Sequence, residues 1–177
     1  MQLKSLFYLA SAISVAFGAT VADVLTDLAA VKDQVANLDN AINAFPTSGG
    51  SLTQALAIHT DATSTGSAVD KTTSDANTVA TPVAESDGQS ILDAITGIEP
   101  IIEDALIAIV AKKPALQALP IGGIPALVKQ DLSSLNASTT ALEIALISKA
   151  PADLVGPANA VKTKIDGAFA TAIAAYA

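Results

Sequence analysis

The feature that most limits what this chain can become is a seam near its start. Val21, Val24, Leu28, Val31, Val35, Leu38, Ile42 and Phe45 advance by alternating steps of three and four, while Asp23, Asp27, Lys32, Asp33 and Asp39 fall mostly off that line. An α-helix gathers residues at this spacing into one narrow stripe. The segment therefore predicts a long helix packed lengthwise against other helices. Pro46 and the "TSGG" behind it end that helix.

The partners such a stripe needs are legible downstream. A thin stripe through Leu52, Leu56, His59, Ala62, Gly66, Val69, Ala76 and Val79 or Ala80 predicts a second helix, capped at Ser51 or Thr53, although its Ser/Thr content also describes a linker. Ser86 and Gln89 have the spacing of a capping box before Ile91, Leu92, Ile95 and Ile98. Pro100 breaks or kinks the chain there. The next piece carries Ile101, Ile102, Leu106, Ile107 and Val110, with Glu99, Glu103 and Asp104 toward water. Lys112 and Lys113 suit its C-terminus, and Pro114 is expected to stop it. "LPIGGIP" reads as a loop. Leu127, Val128, Leu135, Leu142 and Leu146 mark another helix. Val161, Ile165, Phe169, Ile173 and Tyr176 mark the last, which starts near Pro151 or Pro157. With no credible strand, the expected fold is all-α: an antiparallel bundle of about five helices with short loops.

Composition says what covers those stripes. The chain is 51% hydrophobic but only 3% aromatic, so its apolar content is Ala, Val, Leu and Ile. The longest uninterrupted apolar run, Ala105 to Ala111, falls short of the roughly 20 residues that cross a bilayer. The aliphatic surface must meet other helices, a ligand or a foreign surface. The 177 residues carry a formal charge of −8, and every cation is Lys. Residues 1–18 hold one Lys and no acid, so the remainder bears −9, which repels nucleic acid and anionic headgroups.

"MQLKSLFYLASAISVAFGAT" reads as a cleaved signal peptide: Lys4 supplies the n-region, Leu6 to Phe17 the apolar core, and Ala16 and Gly18 the small residues of a cleavage site. The expected organisation is a signal peptide at 1–18 and one helical domain at 19–177, extracellular and secreted. No hydrophobic tail follows the last helix, so no C-terminal lipid anchor is expected.

Catalytic and metal chemistry is mostly absent. There is no Cys, and His59 is the sole His, without a G-x-S-x-G elbow or a set of further ligands in sequence. Glu99, Glu103 and Asp104 describe a solvated helix face as readily as paired carboxylates. "SGGS" lacks both a preceding strand and a following Lys, so no phosphate loop is read there. Neither an enzyme nor a cofactor is expected. "NAS" at Asn136 is an N-glycosylation acceptor, inside a predicted helix.

The stretches "DALIAIVAKKPALQAL" and "LISKAPADLVGPANAVKTKIDGAFATAIAAY", with a leader followed by the Val/Leu seam, resemble the fungal hydrophobic surface-binding protein A family. That family includes cell-wall galactomannoproteins with lipid-binding domains. The resemblance covers essentially the whole mature chain, and its most specific pieces are "AKKP" and "KAPADLV". It implies a secreted or wall-associated helical bundle. Some members hold fatty acids in an apolar tunnel; others adsorb to hydrophobic solids and recruit polyester-degrading hydrolases. The chain departs from anchored members in having one domain and no Ser/Thr-rich tail, and Pro157 is unexpected in its helix.

The expected function is non-enzymatic binding of long-chain fatty acids, similar lipids or apolar surfaces; the alternative is a fully packed structural wall protein or a hydrolase adaptor. The thin second helix against bulky neighbours suggests a slot. Its candidate lining is Leu56, His59, Leu92, Ile95, Ile102, Leu106, Val110, Leu142, Leu146, Ile165, Phe169 and Ile173. Without Arg, a headgroup is expected to meet Ser, Thr, Gln, His59 or water at the mouth.

Overall fold

A computed structural model describes residues 18–177. The predicted signal peptide falls almost wholly outside the described residues. Six helices follow in order: α1 (Val21–Ala44), α2 (Leu52–Thr78), α3 (Glu85–Thr96), α4 (Glu99–Gln117), α5 (Ile124–Lys149) and α6 (Ala152–Ala175), with no strand among the described residues.

Local chemistry sets the first two helices. Thr20 Oγ1 accepts from the Asp23 amide at 3.2 Å while Asp23 accepts from the Thr20 amide at 2.8 Å, a complete capping box. Ser51 and Gln54 repeat it on α2. The box expected at Ser86 and Gln89 does not form. Helix α3 begins two residues earlier, behind Ala84, with no side-chain cap. Proline departs from expectation at Pro114, while α6 starts behind Pro151, the earlier of the two expected positions. Pro114 lies inside α4, which continues to Gln117 because Ala115 and Leu116 are anchored in the core. Pro157 lies inside α6, which starts at Ala152.

The packing order explains the count of about five. Helices α1, α2, α5, α6 and α4 contact one another in a closed ring, each beside the next, and α4 returns to α1. Helix α3 also lies against α1 and α6. Gly97 and Ile98, between α3 and α4, keep right-handed helical dihedrals. The two therefore form one interrupted wall. With neighbouring axes about 9 Å apart, they stand about 7.7 Å from the centre of a five-membered ring, against about 6.4 Å for four. The middle is consequently harder to fill.

Lysines tie the helix ends together, and not in the way expected. Lys112 donates to the Asn43 carbonyl near the end of α1, and Lys113 donates to Ala175 at the end of α6 at 2.6 Å. Lys149 donates to Val79 after α2 at 2.9 Å. Each supplies a proton to a carbonyl left unpaired at a neighbour's C-terminus rather than to its own helix. Glu99 is likewise buried instead of facing water, and takes a 2.7 Å bond from Lys164 on α6.

Helix α3 approaches the α5–α6 corner so closely that a Cβ on Gly88 would lie 2.6 Å from Pro151 Cδ and 2.9 Å from Leu154 Cδ1. Gly167 in α6 has nothing within 4 Å of such a position. Overpacking costs about 1–3 kcal/mol, and the gain in helix propensity is about 1 kcal/mol. Gly88→Ala is expected to lower the melting temperature by about 2–6 °C and Gly167→Ala to raise it by about 2–4 °C. Thermal unfolding followed by circular dichroism checks both; a rise in both variants would contradict the close packing of α3.

Candidate functional site: an aliphatic slot inside the ring

The inward face of α2 decides the interior. Its buried residues are Ala55, Ile58, Ala62, Thr65, Val69, Thr72 and Ala76: Ala62, Val69 and Ala76 belong to the expected stripe, while Ala55, Ile58 and Thr65 stand where Leu56, His59 and Gly66 were expected. Two of them are threonines, and each hydroxyl is satisfied within the helix: Thr65 bonds the Asp61 carbonyl and Thr72 the Ala68 carbonyl, both at 2.8 Å. A threonine so bonded presents its methyl to the core at little polar cost. This wall is small and apolar, and it does not reach across the ring.

The core divides accordingly. One cluster gathers around Phe45, Leu116, Leu119, Ile124 and Tyr176, and the other around Val24, Leu28, Val79, Ile98 and Ala145. Tyr176 fastens the first end, donating its hydroxyl to the Ile109 carbonyl at 2.7 Å; burial pushes its pKa upward. Ile95 and Ile102 pack against both clusters. They also line a cavity of about 140 Å³ that draws residues from all six helices. An engineered apolar cavity of about 150 Å³ stays dry and admits benzene. On α5 the lining extends from Val128 to Ile147, ~28 Å along a helix axis. The space is long, narrow and almost wholly aliphatic.

Eight of the residues expected to line a slot do line this cavity: Leu92, Ile95, Ile102, Leu106, Leu142, Leu146, Ile165 and Phe169. Four do not. Leu56 is 44% exposed, because the α2 stripe runs through Ala55 and Ile58. His59 sits half-buried outside the wall, with Nδ1 at 3.0 Å from both carboxylate oxygens of Asp131. Val110 and Ile173, half-buried, pack against the Phe45 cluster and are not among the lining residues. Ile107, read as part of the α4 stripe, is 70% exposed; Ala105 and Ile109 take the inward positions. Asn136 lies half-buried in the middle of α5, away from any loop.

Sequence reasoning missed the polar points of the wall: Thr65, Asp131, Thr139 and Glu143. The signal for three was a ladder with a step of four, Asp131–Leu135–Thr139–Glu143–Ile147, which one helix face must share. Glu143 Oε2 accepts from Lys162 on α6 at 2.9 Å, and Lys162 also binds Asp166 at 2.7 Å. Burial raises the pKa of the Glu143 carboxyl above its ordinary value even though Lys162 opposes the shift. Burial does the same to Asp131 against the pull of His59. Among the described residues no cluster of His, Cys, Asp or Glu is arranged to hold a metal ion, and no helix is long and apolar enough to cross a membrane.

An all-α bundle closed around an elongated aliphatic slot is the class that fold and site define. The chain belongs to the hydrophobic surface binding protein A family, whose pattern matches residues 21–148. It is similar to AFMP4P, solved in complex with palmitic acid, at 33% identity over 89% of this chain and 99% of that one, with a TM-score of 0.81. Ligand binding domain 1 of the Penicillium marneffei MP1 protein, complexed with arachidonic acids, shares the fold at 19% identity, 89% and 99% coverage and a TM-score of 0.79. Domain 2 of the same protein, complexed with multiple arachidonic acids, shares it at 16% identity, 88% and 93% coverage and a TM-score of 0.72. No match is found among curated proteins.

A raised carboxyl pKa means that the folded protein holds the proton more tightly than the unfolded chain. The stability Glu143 contributes is then fully present below its ordinary value of about 4.3 and is lost as pH rises through the higher folded value. The stability difference between wild type and Glu143→Gln should therefore shift toward wild type as the medium is acidified from neutrality. Urea titrations at a series of pH values measure it. A difference that shifts toward the variant on acidification would contradict the burial of this carboxyl.

Proposed function

We propose that this protein is a non-enzymatic carrier that encloses the hydrocarbon chain of a fatty acid or similar lipid in the slot between α2 and the α3–α4 wall. The observation that carries the reading is the continuous aliphatic lining contributed by all six helices. The likeness to AFMP4P, solved with palmitic acid, supports it. Each buried methylene stabilises the complex by about 0.8 kcal/mol, so about fifteen give roughly 12 kcal/mol gross. Association and ordering remove at least about 4 kcal/mol, and widening the slot removes more. The remainder is at most about 8 kcal/mol, so micromolar affinity is the upper limit.

Helix α3 is the wall most suited to admit the chain: it is short, lacks a side-chain cap, and leaves Ile91, Leu92 and Ile95 only half-buried. A secreted or wall-associated setting suits the family and the leader-like start. Leu56, Ile107, Ile121 and Ile144, large aliphatics exposed among the described residues, support a second reading in which the outer surface adsorbs to apolar solids. Recruitment of a secreted hydrolase and glycosylation of Asn136 belong to that setting.

Titration with fatty acids of increasing length, monitored by displacement of a fluorescent probe, tests the slot. Affinity should rise with chain length and respond weakly to salt. Leu106→Trp, and Ala158→Trp at a half-buried position of the lining, should each weaken long-chain binding at least about tenfold while far-ultraviolet circular dichroism stays helical; tenfold is 1.4 kcal/mol. Equal weak binding at every length, or tight binding untouched by both plugs, would move the lipid to the outer surface.

A further inference from the structure

We infer that the slot carries a hydroxyl-recognition point at Glu143, and that this chain prefers a long aliphatic ligand ending in a neutral O–H group over the carboxylate of equal length. The inference deepens the carrier reading and rests on it.

Glu143 belongs to the slot lining and is 8% exposed. One of its oxygens is held by Lys162. The other, Oε1, is buried without a hydrogen-bond partner. Buried carboxylate oxygens are seldom left unpaired, because each gives up its water for nothing in return. The protein has little to offer this one. Lys162 is already shared between Glu143 and Asp166, both at hydrogen-bonding distance. An ordered water needs two to four polar partners, and most of the wall is aliphatic.

A ligand hydroxyl meets the requirement, because it brings its own donor. It can donate to Oε1 and accept from the hydroxyl of Thr139, one helical turn earlier on the same face of α5 and also in the lining. A carboxylate brings acceptors only. The charged residues of the lining are Asp131 and Glu143, both acidic, so an anion in the slot meets like charge where screening is weak. Asp131 is not an equivalent point, since both its oxygens already face His59 Nδ1 at 3.0 Å.

The test compares dodecanol with laurate at neutral pH, by displacement of a fluorescent apolar probe from the folded protein. Any apolar slot favours the alcohol to some degree, so the change of preference in a variant decides the matter. Wild type should prefer dodecanol by about tenfold or more, the gain from one charge-assisted hydrogen bond. In Glu143→Gln the preference should fall to about threefold or less, with laurate gaining and dodecanol losing. Lys162 keeps Asp166 in that variant, and Thr139→Val provides a second one that disturbs no ion pair; it should weaken dodecanol severalfold more than it weakens laurate. A wild-type preference for laurate, or a preference for dodecanol that survives Glu143→Gln, would overturn the hydroxyl point while leaving the slot intact. Failure of both ligands to displace the probe from wild type would overturn the slot reading together with it.

Discussion

The small inward face of α2 is the constraint on which the rest of the molecule depends. A ring of five helical walls already sets each axis farther from the centre than a four-helix bundle does, and large side chains on every wall would be needed to close the gap. Helix α2 supplies mostly small ones, Ala55, Ala62 and Ala76 with Thr65 and Thr72, and only Ile58 and Val69 are larger. Its threonines are affordable there because each hydroxyl bonds the carbonyl four residues earlier. The wall is thereby dry without being bulky. Replacing it with leucines would turn the same ring into a conventional packed core, whereas this composition leaves a narrow space flanked by two packed ends.

Those ends are held by interactions suited to an alanine-rich chain with few aromatic residues. Phe45 and Tyr176, two of its largest side chains, are placed at one closure, and Tyr176 is fixed by its bond to Ile109. Lysines reach across to the open carbonyls at neighbouring C-termini, so that helix ends are bound to one another. The middle is left to aliphatic contacts, which give way more readily than hydrogen bonds when a chain-like ligand enters. Asp131 and Glu143 are the charged side chains of the slot lining, and both are acidic.

Much of this was legible in the sequence, and the remainder has identifiable causes. The α1 seam is strongly contrasted, Val and Leu against Asp and Lys, and its stripe was read residue for residue: Val24 through Ile42 are buried as spaced. The α2 stripe is legible at Ala62, Val69, Ala76 and Val79, but Leu56, His59 and Gly66 each lie one residue past the buried Ala55, Ile58 and Thr65, because Leu56 stands out among small residues while facing solvent. Glu99 looked like a surface acid because its partner, Lys164, arrives from the far end of the chain. Pro114 looked like a stop, yet the burial of Ala115 and Leu116 carries the helix past it. Of the slot, the aliphatic walls on α3, α4, α5 and α6 were legible as stripes. Asp131, Thr139 and Glu143 were not, since a polar residue on an apolar face reads as surface until the ladder with a step of four is followed along α5.

The central claim is that an acyl chain lies inside the ring rather than on it. Its most direct test is methyl-resolved nuclear magnetic resonance with a fatty acid carrying a nitroxide at mid-chain. If the chain is enclosed, the methyl signals of Ile95, Leu106 and Ile165 broaden at stoichiometric ligand, while those of the exposed Ile107 and Ile144 stay sharp. Broadening confined to Ile107, Ile121 and Ile144, with the interior methyls untouched, would contradict the account.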